Sequence, residues 1–326
     1  MNGPRVCMIG AGNLSTRRIY PNIAAAGGYL VGVCDLQMQK AADNAARFGG
    51  KPFNDVDAML NELKPDGVMI CTGPQGHYEL AKKILKMGYP VYTEKPPALT
   101  AQQTLEVAQV ARDTGLLCMT AFKKRYNVAY SRAKDWLEQF PPDAIYAMSI
   151  DYCSAQYANN TPHRMFLFDF CVHTIDLAMY LLGDVARVFA FAKGPDAYAV
   201  SLHFASGAVG TMTFADGRSF QIPTEEVELT VKGGNFMTIH NSSTWRITED
   251  NKPSEWREPP TFTSSGDSGN ETGHLAEIVA FFKAIEDNVN TTRSSIYQSY
   301  KTMMLYEAIL ASVESGQPVT IEYQTL

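Results

Sequence analysis

The sequence predicts an α/β protein in two parts. A doubly wound parallel sheet occupies residues 1–121, and an α+β region with a large, mostly antiparallel open sheet occupies residues 122–326. Three observations predict it. Short apolar runs alternate with amphipathic helical stretches up to about Thr120, the pattern of strands joined by crossover helices. The first strand runs straight into a glycine-rich turn, Gly10-Ala11-Gly12-Asn13-Leu14-Ser15. Beyond Phe122 the period changes to two, and three hairpin signals appear at Ser206-Gly207, Gly233-Gly234 and Asn241-Ser242.

Arg5–Ile9 reads as the first strand, Ser15–Ala26 as a helix closed by Gly27-Gly28, and Leu30–Cys34 as a second strand ending in Asp35. A βαβ unit with this turn is the dinucleotide-binding fingerprint of a Rossmann domain. Gly10 permits the tight turn, and Gly12 lets the backbone approach a pyrophosphate at a helix N-terminus, where free N–H groups favour anions. Asn13 and Leu14 complete the cofactor-facing turn, and Ser15 stands where the pattern usually has a third glycine. Asp35 can accept hydrogen bonds from both adenosine ribose hydroxyls and repels a 2′-phosphate, which selects NAD over NADP. Arg17 or Arg18 would offset that repulsion only by reaching the same pocket.

Helices over Gln37–Phe48 and Val56–Leu63 lead to the strand Gly67–Cys71. Its end, Thr72-Gly73-Pro74-Gln75-Gly76-His77, is a turn-rich loop at the sheet edge where ligands bind, so Thr72, Gly73 and His77 are candidate cofactor contacts. A helix over Tyr78–Met87 follows, then the strand Val91-Tyr92-Thr93, stopped by Pro96-Pro97. Glu94 and Lys95 therefore sit on a fixed bend at a strand's carboxyl end. A helix over Ala101–Thr114 and a strand over Leu116–Thr120 complete a parallel sheet of about six strands.

In the second part a helix spans Ala129–Glu138 and a strand Ile145–Ile150. Val200, Leu202 and Phe204 alternate with polar residues, as do Val227, Leu229 and Val231, which describes an antiparallel sheet with one wetter face. Asp250–Gly273 is rich in Pro, Gly, Ser and Thr and reads as a long loop. Two amphipathic helices close the chain, one through Leu275–Ile285 and one over Ile296–Glu314. In Asp169–Tyr180, helical spacing puts Asp169, His173, Asp176 and Tyr180 on one polar face and Cys171, Ile175, Ala178 and Leu182 on the opposite, core-facing one. An acid and a histidine one turn apart form a candidate proton-relay pair.

Composition excludes several classes. The net charge of −6 disfavours nucleic acid and anionic membranes, which attract basic surfaces. No apolar run reaches the ~18 residues of a membrane span, and Met1-Asn2-Gly3-Pro4 leads into a strand without a signal-peptide pattern, so a cytoplasmic protein is expected. The six cysteines form no CxxC pair; Cys7, Cys34, Cys71 and Cys118 lie in apolar strand-like runs and read as buried reduced thiols, and no zinc-like cluster stands out.

The segments Gly10–Ser15, Thr72–His77, Glu94-Lys95-Pro96 and Asp169-x-x-x-His173 resemble, in order and spacing, the glucose–fructose oxidoreductase, inositol dehydrogenase and rhizopine-catabolism oxidoreductase family, over nearly the whole chain. The resemblance implies that Lys95, Asp169 and His173 surround a substrate carbon facing the nicotinamide. It implies a substrate contact from the basic run Lys123-Lys124-Arg125-Tyr126, with Lys124 the closest match, and a homodimer or homotetramer through the exposed sheet face. Arg164-Met165-Phe166-Leu167-Phe168 replaces a glycine cluster found in many members, implying a bulkier pocket floor. The implied reaction is NAD-dependent hydride transfer at a carbinol carbon of a sugar or cyclitol. His173 is then the general base oriented by Asp169, and Lys95 hydrogen-bonds the same oxygen and shares in the proton transfer, with the order in which the two take the proton left open. Two rivals use the same fold: a sensor that binds NAD and sugar without turnover, and a hydrolase or lyase that uses bound NAD transiently.

Overall fold

The computed structural model describes residues 3–155, 165–219, 222–259 and 271–326. The chain divides into two compact units, one of Met1–Lys123 with Gly273–Tyr300 and Leu326, the other of Lys124–Thr272 with Lys301–Thr325.

The first unit is a six-stranded parallel sheet. Its strands are β1 (Arg5–Ile9), β2 (Tyr29–Cys34), β3 (Lys51–Phe53), β4 (Gly67–Ile70), β5 (Val91–Thr93) and β6 (Cys118–Thr120), in the spatial order β3-β2-β1-β4-β5-β6. The order reverses direction between β1 and β4, so the loops after these two strands flank the switch point at which open α/β sheets bind ligands. Helices α1 (Tyr20–Ala25), α2 (Met38–Phe48), α3 (Val56–Leu63), α4 (Pro74–Lys86) and α5 (Ala101–Thr114) join the strands. A five-residue π-turn, Ser15–Ile19, precedes α1. Cys7, Cys34, Val68, Ile70, Val91 and Cys118 pack with Leu60, Ile84 and Val107 of the helices into one buried cluster. The thiols of Cys7, Cys34, Cys71, Cys118 and Cys171 are buried, as read from the sequence, and all six cysteines are free.

Two differences from the sequence reading stand out here. β3 was not anticipated, because three residues containing Pro52 carry no strand signal. The helix α8 (His274–Glu286) belongs to this first unit although it lies far along the chain. Bare backbone makes room for it: a side chain at Gly28 would strike the Phe282 ring, and one at Gly67 would strike Ile285 and Phe281.

The second unit is built on a nine-stranded sheet. It comprises β7 (Ile145–Ala155), β8 (Val185–Lys193), β9 (Ala197–Phe204), β10 (Val209–Arg218), β11 (Thr224–Val231), β12 (Asn235–His240), β13 (Thr244–Glu249), β14 (Lys252–Arg257) and β15 (Val319–Thr320). The order is β14-β13-β12-β11-β7-β10-β9-β8-β15, antiparallel except for the β7–β10 pair. All three predicted hairpins form, joining β9 to β10, β11 to β12 and β12 to β13. Burial alternates along β9, β10 and β11, leaving one face covered and one exposed. The stretch read as a loop from Asp250 to Gly273 instead supplies the edge strand β14, while 260–270 lie outside the described residues. Helices α6 (Val128–Leu137), α7 (Val172–Leu182) and α9 (Ile296–Ser315) complete the helical set. No described helix is long and apolar enough to cross a membrane.

Candidate functional site

The glycine turn is built as the fingerprint requires. Gly10 has φ +101°, and a side chain there would lie 2.0 Å from the Cys71 carbonyl oxygen, so only glycine lets the loops after β1 and β4 approach. A side chain at Gly12 would meet no protein atom within 4 Å, so the outer face of the turn is open. Asn13 and Leu14 are exposed beside it. Ser15 is fully buried and its hydroxyl donates to the Gly12 carbonyl at 3.0 Å, closing the turn from inside.

Asp35 ends the β2 edge with both carboxylate oxygens fixed by backbone donors. Oδ2 accepts from Ala11 N–H at 2.8 Å and Oδ1 from Gln37 N–H at 2.9 Å. One of these donors belongs to the glycine turn, so the carboxylate is locked to the segment it must cooperate with. Leu36 follows it almost fully exposed, at 95%. Arg17 and Arg18 are exposed on the π-turn. These residues fit an adenine dinucleotide: an open glycine cradle, a fixed carboxylate for ribose hydroxyls, and an apolar side chain beside it.

Thr72 and Gly73 are exposed at the end of β4, on the ligand side of the switch point. His77 is placed differently from the expectation. It lies in the first turn of α4, is buried, and has both ring nitrogens engaged. Thr72 N–H donates to Nε2 at 3.0 Å, so Nδ1 carries the proton and donates to the Pro96 carbonyl at 2.8 Å. Burial, helped by the charge of Lys95, pushes the imidazole down to about 4. His77 is therefore a neutral brace between the Thr72 loop and the Glu94-Lys95-Pro96 bend, with no ring nitrogen left to offer a cofactor.

Glu94 is buried and Lys95 half-buried at the end of β5. Glu94 N–H donates to the Ile70 carbonyl at 2.8 Å, and the Glu94 carboxylate accepts the Lys95 N–H at 3.0 Å. The fixed bend read from the sequence is thus locked by backbone hydrogen bonds. Burial and the nearby Glu277 raise the Glu94 carboxyl to about 7.

In the second unit Asp169 and His173 are half-buried at the start of α7. Residues Leu167–Cys171 form a π-turn, so the winding between Asp169 and His173 is looser than the α-helix assumed from the spacing. The rest of the expected polar face does not exist. Asp176 is fully buried and accepts from Arg125 Nε and Nη2, both at 2.8 Å, and from the Thr302 hydroxyl at 2.8 Å. The Arg125 guanidinium lies 5.5 Å from the centre of the Tyr180 ring. This side of α7 is an anchor whose polar groups satisfy one another. Phe166, Leu167 and Phe168 are buried, and Arg164 lies outside the described residues.

Lys124 also departs from the expectation. Its ammonium pairs with the buried Glu225 carboxylate, donates to the Thr174 hydroxyl at 2.6 Å and lies 5.1 Å from the centre of the Tyr152 ring. Glu225 further accepts from the Tyr130 hydroxyl and, at 3.2 Å, from Thr174. Burial pushes Glu225 up, but the Lys124 charge and the bonds from Lys124, Tyr130 and Thr174 outweigh it and hold the carboxyl below its usual range. Lys124 is engaged inside the unit by Glu225, Thr174 and the Tyr152 ring, which argues against a substrate contact. Sequence reasoning missed Glu225, Tyr130 and Thr174, since they are scattered over β11, α6 and α7. It also missed His274 and Glu277 of α8, which come to the Glu94 bend from far along the chain.

Residues 4–122 match the oxidoreductase family model described as an NAD-binding Rossmann fold, and residues 146–321 match that family's C-terminal alpha/beta domain. The chain belongs to this oxidoreductase family, the glucose–fructose oxidoreductase, inositol dehydrogenase and rhizopine-catabolism group. Among curated relatives it is 29% identical over 189 residues to the D-glucoside 3-dehydrogenase of Escherichia coli, covering 55% of this chain and 54% of that protein. It is 27% identical over 265 residues to inositol 2-dehydrogenase 4 of Saccharopolyspora erythraea, covering 74% and 77%. The chain thus spans about half the length of the first of these relatives and about three quarters of the second. A levoglucosan dehydrogenase solved with NADH and L-sorbose has the same fold, with TM-score 0.86 at 20% identity, over 99% of this chain and all of that one.

Proposed function

We propose that this protein is an NAD-dependent dehydrogenase acting on a CH–OH group of a sugar, sugar derivative or cyclitol. The observation that carries the reading is the open glycine turn tied through Ala11 to Asp35 at the sheet's switch point, in a chain whose family relatives include sugar and inositol dehydrogenases. Gly10, Gly12, Asn13, Leu14, Thr72, Gly73 and the Glu94–Lys95 bend would hold the dinucleotide, which supplies hydride acceptance when bound. Asp35 gives NAD the advantage over NADP, because a 2′-phosphate would face a fixed carboxylate and an apolar Leu36.

His173 takes the hydroxyl proton as general base, Asp169 orients it, and Lys95 stabilises the developing alkoxide by a hydrogen bond. The protein works in the cytoplasm as a homodimer or homotetramer through the exposed face of the nine-stranded sheet. The deciding experiment adds NAD and a panel of monosaccharides, sugar acids, amino sugars and inositols and follows NADH absorbance. NADH accumulation supports the dehydrogenase. Product without NADH supports a transient-redox hydrolase or lyase, and binding without product supports a sensor.

A further inference from the structure

Behind Lys95 lies a set of ionisable groups that the proposed reaction does not use. Tyr92 and Glu94 stand two residues apart at the end of β5, so they face the same side of the sheet. Tyr92 is buried and its hydroxyl donates to Glu277 Oε1 at 3.0 Å, across to α8. Glu277 is fully buried, and its second oxygen, Oε2, accepts no hydrogen bond. His274, one turn earlier on α8, places Nδ1 3.5 Å from Glu277 Oε1. Lys123 Nζ lies 3.4 Å from His274 Nε2 and donates to it, so the ring proton sits on Nδ1 and faces Glu277. Glu94, 3% exposed, has Glu277, Lys95 and His274 as its electrostatic neighbours. Cys71 and Arg18 are further ionisable groups within electrostatic reach, Cys71 of Glu94 and Arg18 of His274.

Two carboxyls taken out of water beside each other cannot both ionise cheaply, and a bare buried carboxylate oxygen makes ionisation costlier still. The neutral donors found here, a tyrosine hydroxyl and a backbone N–H, compensate only in part. Burial drives both groups upward, Glu94 to about 7 and Glu277 to about 8, and burial with the Lys123 charge drives His274 down to about 3, leaving it neutral.

We propose that Glu94 and Glu277 form a buried acid pair that retains a proton at neutral pH, and that the charge of this pair sets how readily the neighbouring Lys95 works during turnover. Glu277 is then a positioning residue that acts on the site through Glu94. A protonated Glu94 leaves Lys95 beside a neutral group, while an ionised Glu94 places a negative charge beside it. The link to turnover rests on the dehydrogenase reading; the acid pair itself does not.

The test has two independent readouts. Infrared spectra of the cofactor-free protein at neutral pH should show the carbonyl stretch of a protonated, buried carboxyl. Glu277→Gln and Glu94→Gln should each diminish that band. In Glu277→Gln the remaining band should titrate at lower pH, with the acid constant at least about threefold larger, because the like-charged neighbour is gone. Turnover supplies the second readout. The pH profile of kcat/KM should shift in opposite directions in Glu277→Gln and Glu94→Gln, whereas plain structural damage scales activity without moving a limb.

Tyr92→Phe covers the case in which an amide at 277 disturbs folding. It removes the donor that stabilises ionised Glu277, so the band should persist to higher pH. No protonated-carboxyl band at neutral pH overturns the pair, and so does a Glu94 titration unmoved by Glu277→Gln. Unmoved limbs in both glutamine variants overturn the link to Lys95. Failure of the wild type to reduce NAD with any sugar sinks the dehydrogenase reading while the infrared result still judges the pair.

Discussion

Replacing Lys124 by methionine tests whether this residue is a structural partner or a substrate contact. The substitution keeps the stem and removes the charge, leaving Glu225 8% exposed at its side chain with only the Tyr130 and Thr174 hydroxyls as side-chain donors among the described residues. Breaking a buried pair by deleting one member costs about 3–5 kcal/mol, because the survivor stays in the interior uncompensated. With a denaturant slope of roughly 2 kcal/mol/M, the urea midpoint should fall by about 1.5–2.5 M. All three tryptophans, Trp136, Trp245 and Trp256, lie in the second unit, so fluorescence reports this unit's transition alone. The pH dependence has a definite sign. Glu225 titrates below its usual range in the intact protein, so its contribution is present above the unfolded carboxyl's pKa of about 4.3 and is lost as pH falls below it. The gap between wild type and Lys124→Met should therefore be widest at neutral pH and narrow in acid. The double variant Lys124→Met/Glu225→Gln should recover part of the loss. A midpoint within about 0.5 M of wild type, with KM for the sugar raised severalfold, would return Lys124 to the substrate site.

Other outcomes are expected at the cofactor and catalytic residues. Asp35→Ser should narrow the preference for NAD over NADP, and a wild type that binds NADP more tightly would mean that Arg17 or Arg18 outweighs Asp35. Lys95→Met should leave NAD affinity within a few-fold while cutting turnover at least ~100-fold, the scale of a lost acid–base or electrostatic group; near-normal turnover would reduce Lys95 to a loop residue. His77→Phe should weaken NAD binding and lower stability by about 1–3 kcal/mol, since Thr72 N–H and the Pro96 carbonyl lose their shared partner. With His77 held at about 4 against 6.5 when exposed, wild-type stability should fall as pH drops from 6.5 toward 4, and that part of the dependence should vanish in His77→Phe. Light scattering at micromolar concentration should show a dimer or tetramer, and a clean monomer would remove the sheet face as an interface.

What sequence reveals and what it hides divides here along the range of the interactions. The glycine turn, Asp35, the Pro96-Pro97 stop and the three hairpins are local: each is decided by backbone sterics within a few residues, so each is legible. The acid–histidine spacing at Asp169 and His173 is local too, yet the winding between them is a π-turn, which spacing alone does not signal. Asp176 misled for a different reason. Its position on the helix suits a polar face, but its partners are Arg125 and Thr302, 51 and 126 residues away, and nothing near Asp176 in the chain announces them.

The basic run at 123–126 carries this further. Three consecutive cations suggest one electropositive surface, whereas the fold sends each to a separate acid or imidazole: Lys123 to His274, Lys124 to Glu225, Arg125 to Asp176. A short 3₁₀ turn makes that possible, because successive residues on it point about a third of a turn apart. A desolvated cation must find a partner or lose its charge, so burial converts a sequence that reads as a substrate-binding patch into separate internal pairs. The proposed substrate role of Lys95 rests instead on its half-buried place at the ligand edge of the parallel sheet. Its chemistry then depends on whether Glu94, locked to it by one backbone hydrogen bond, is charged.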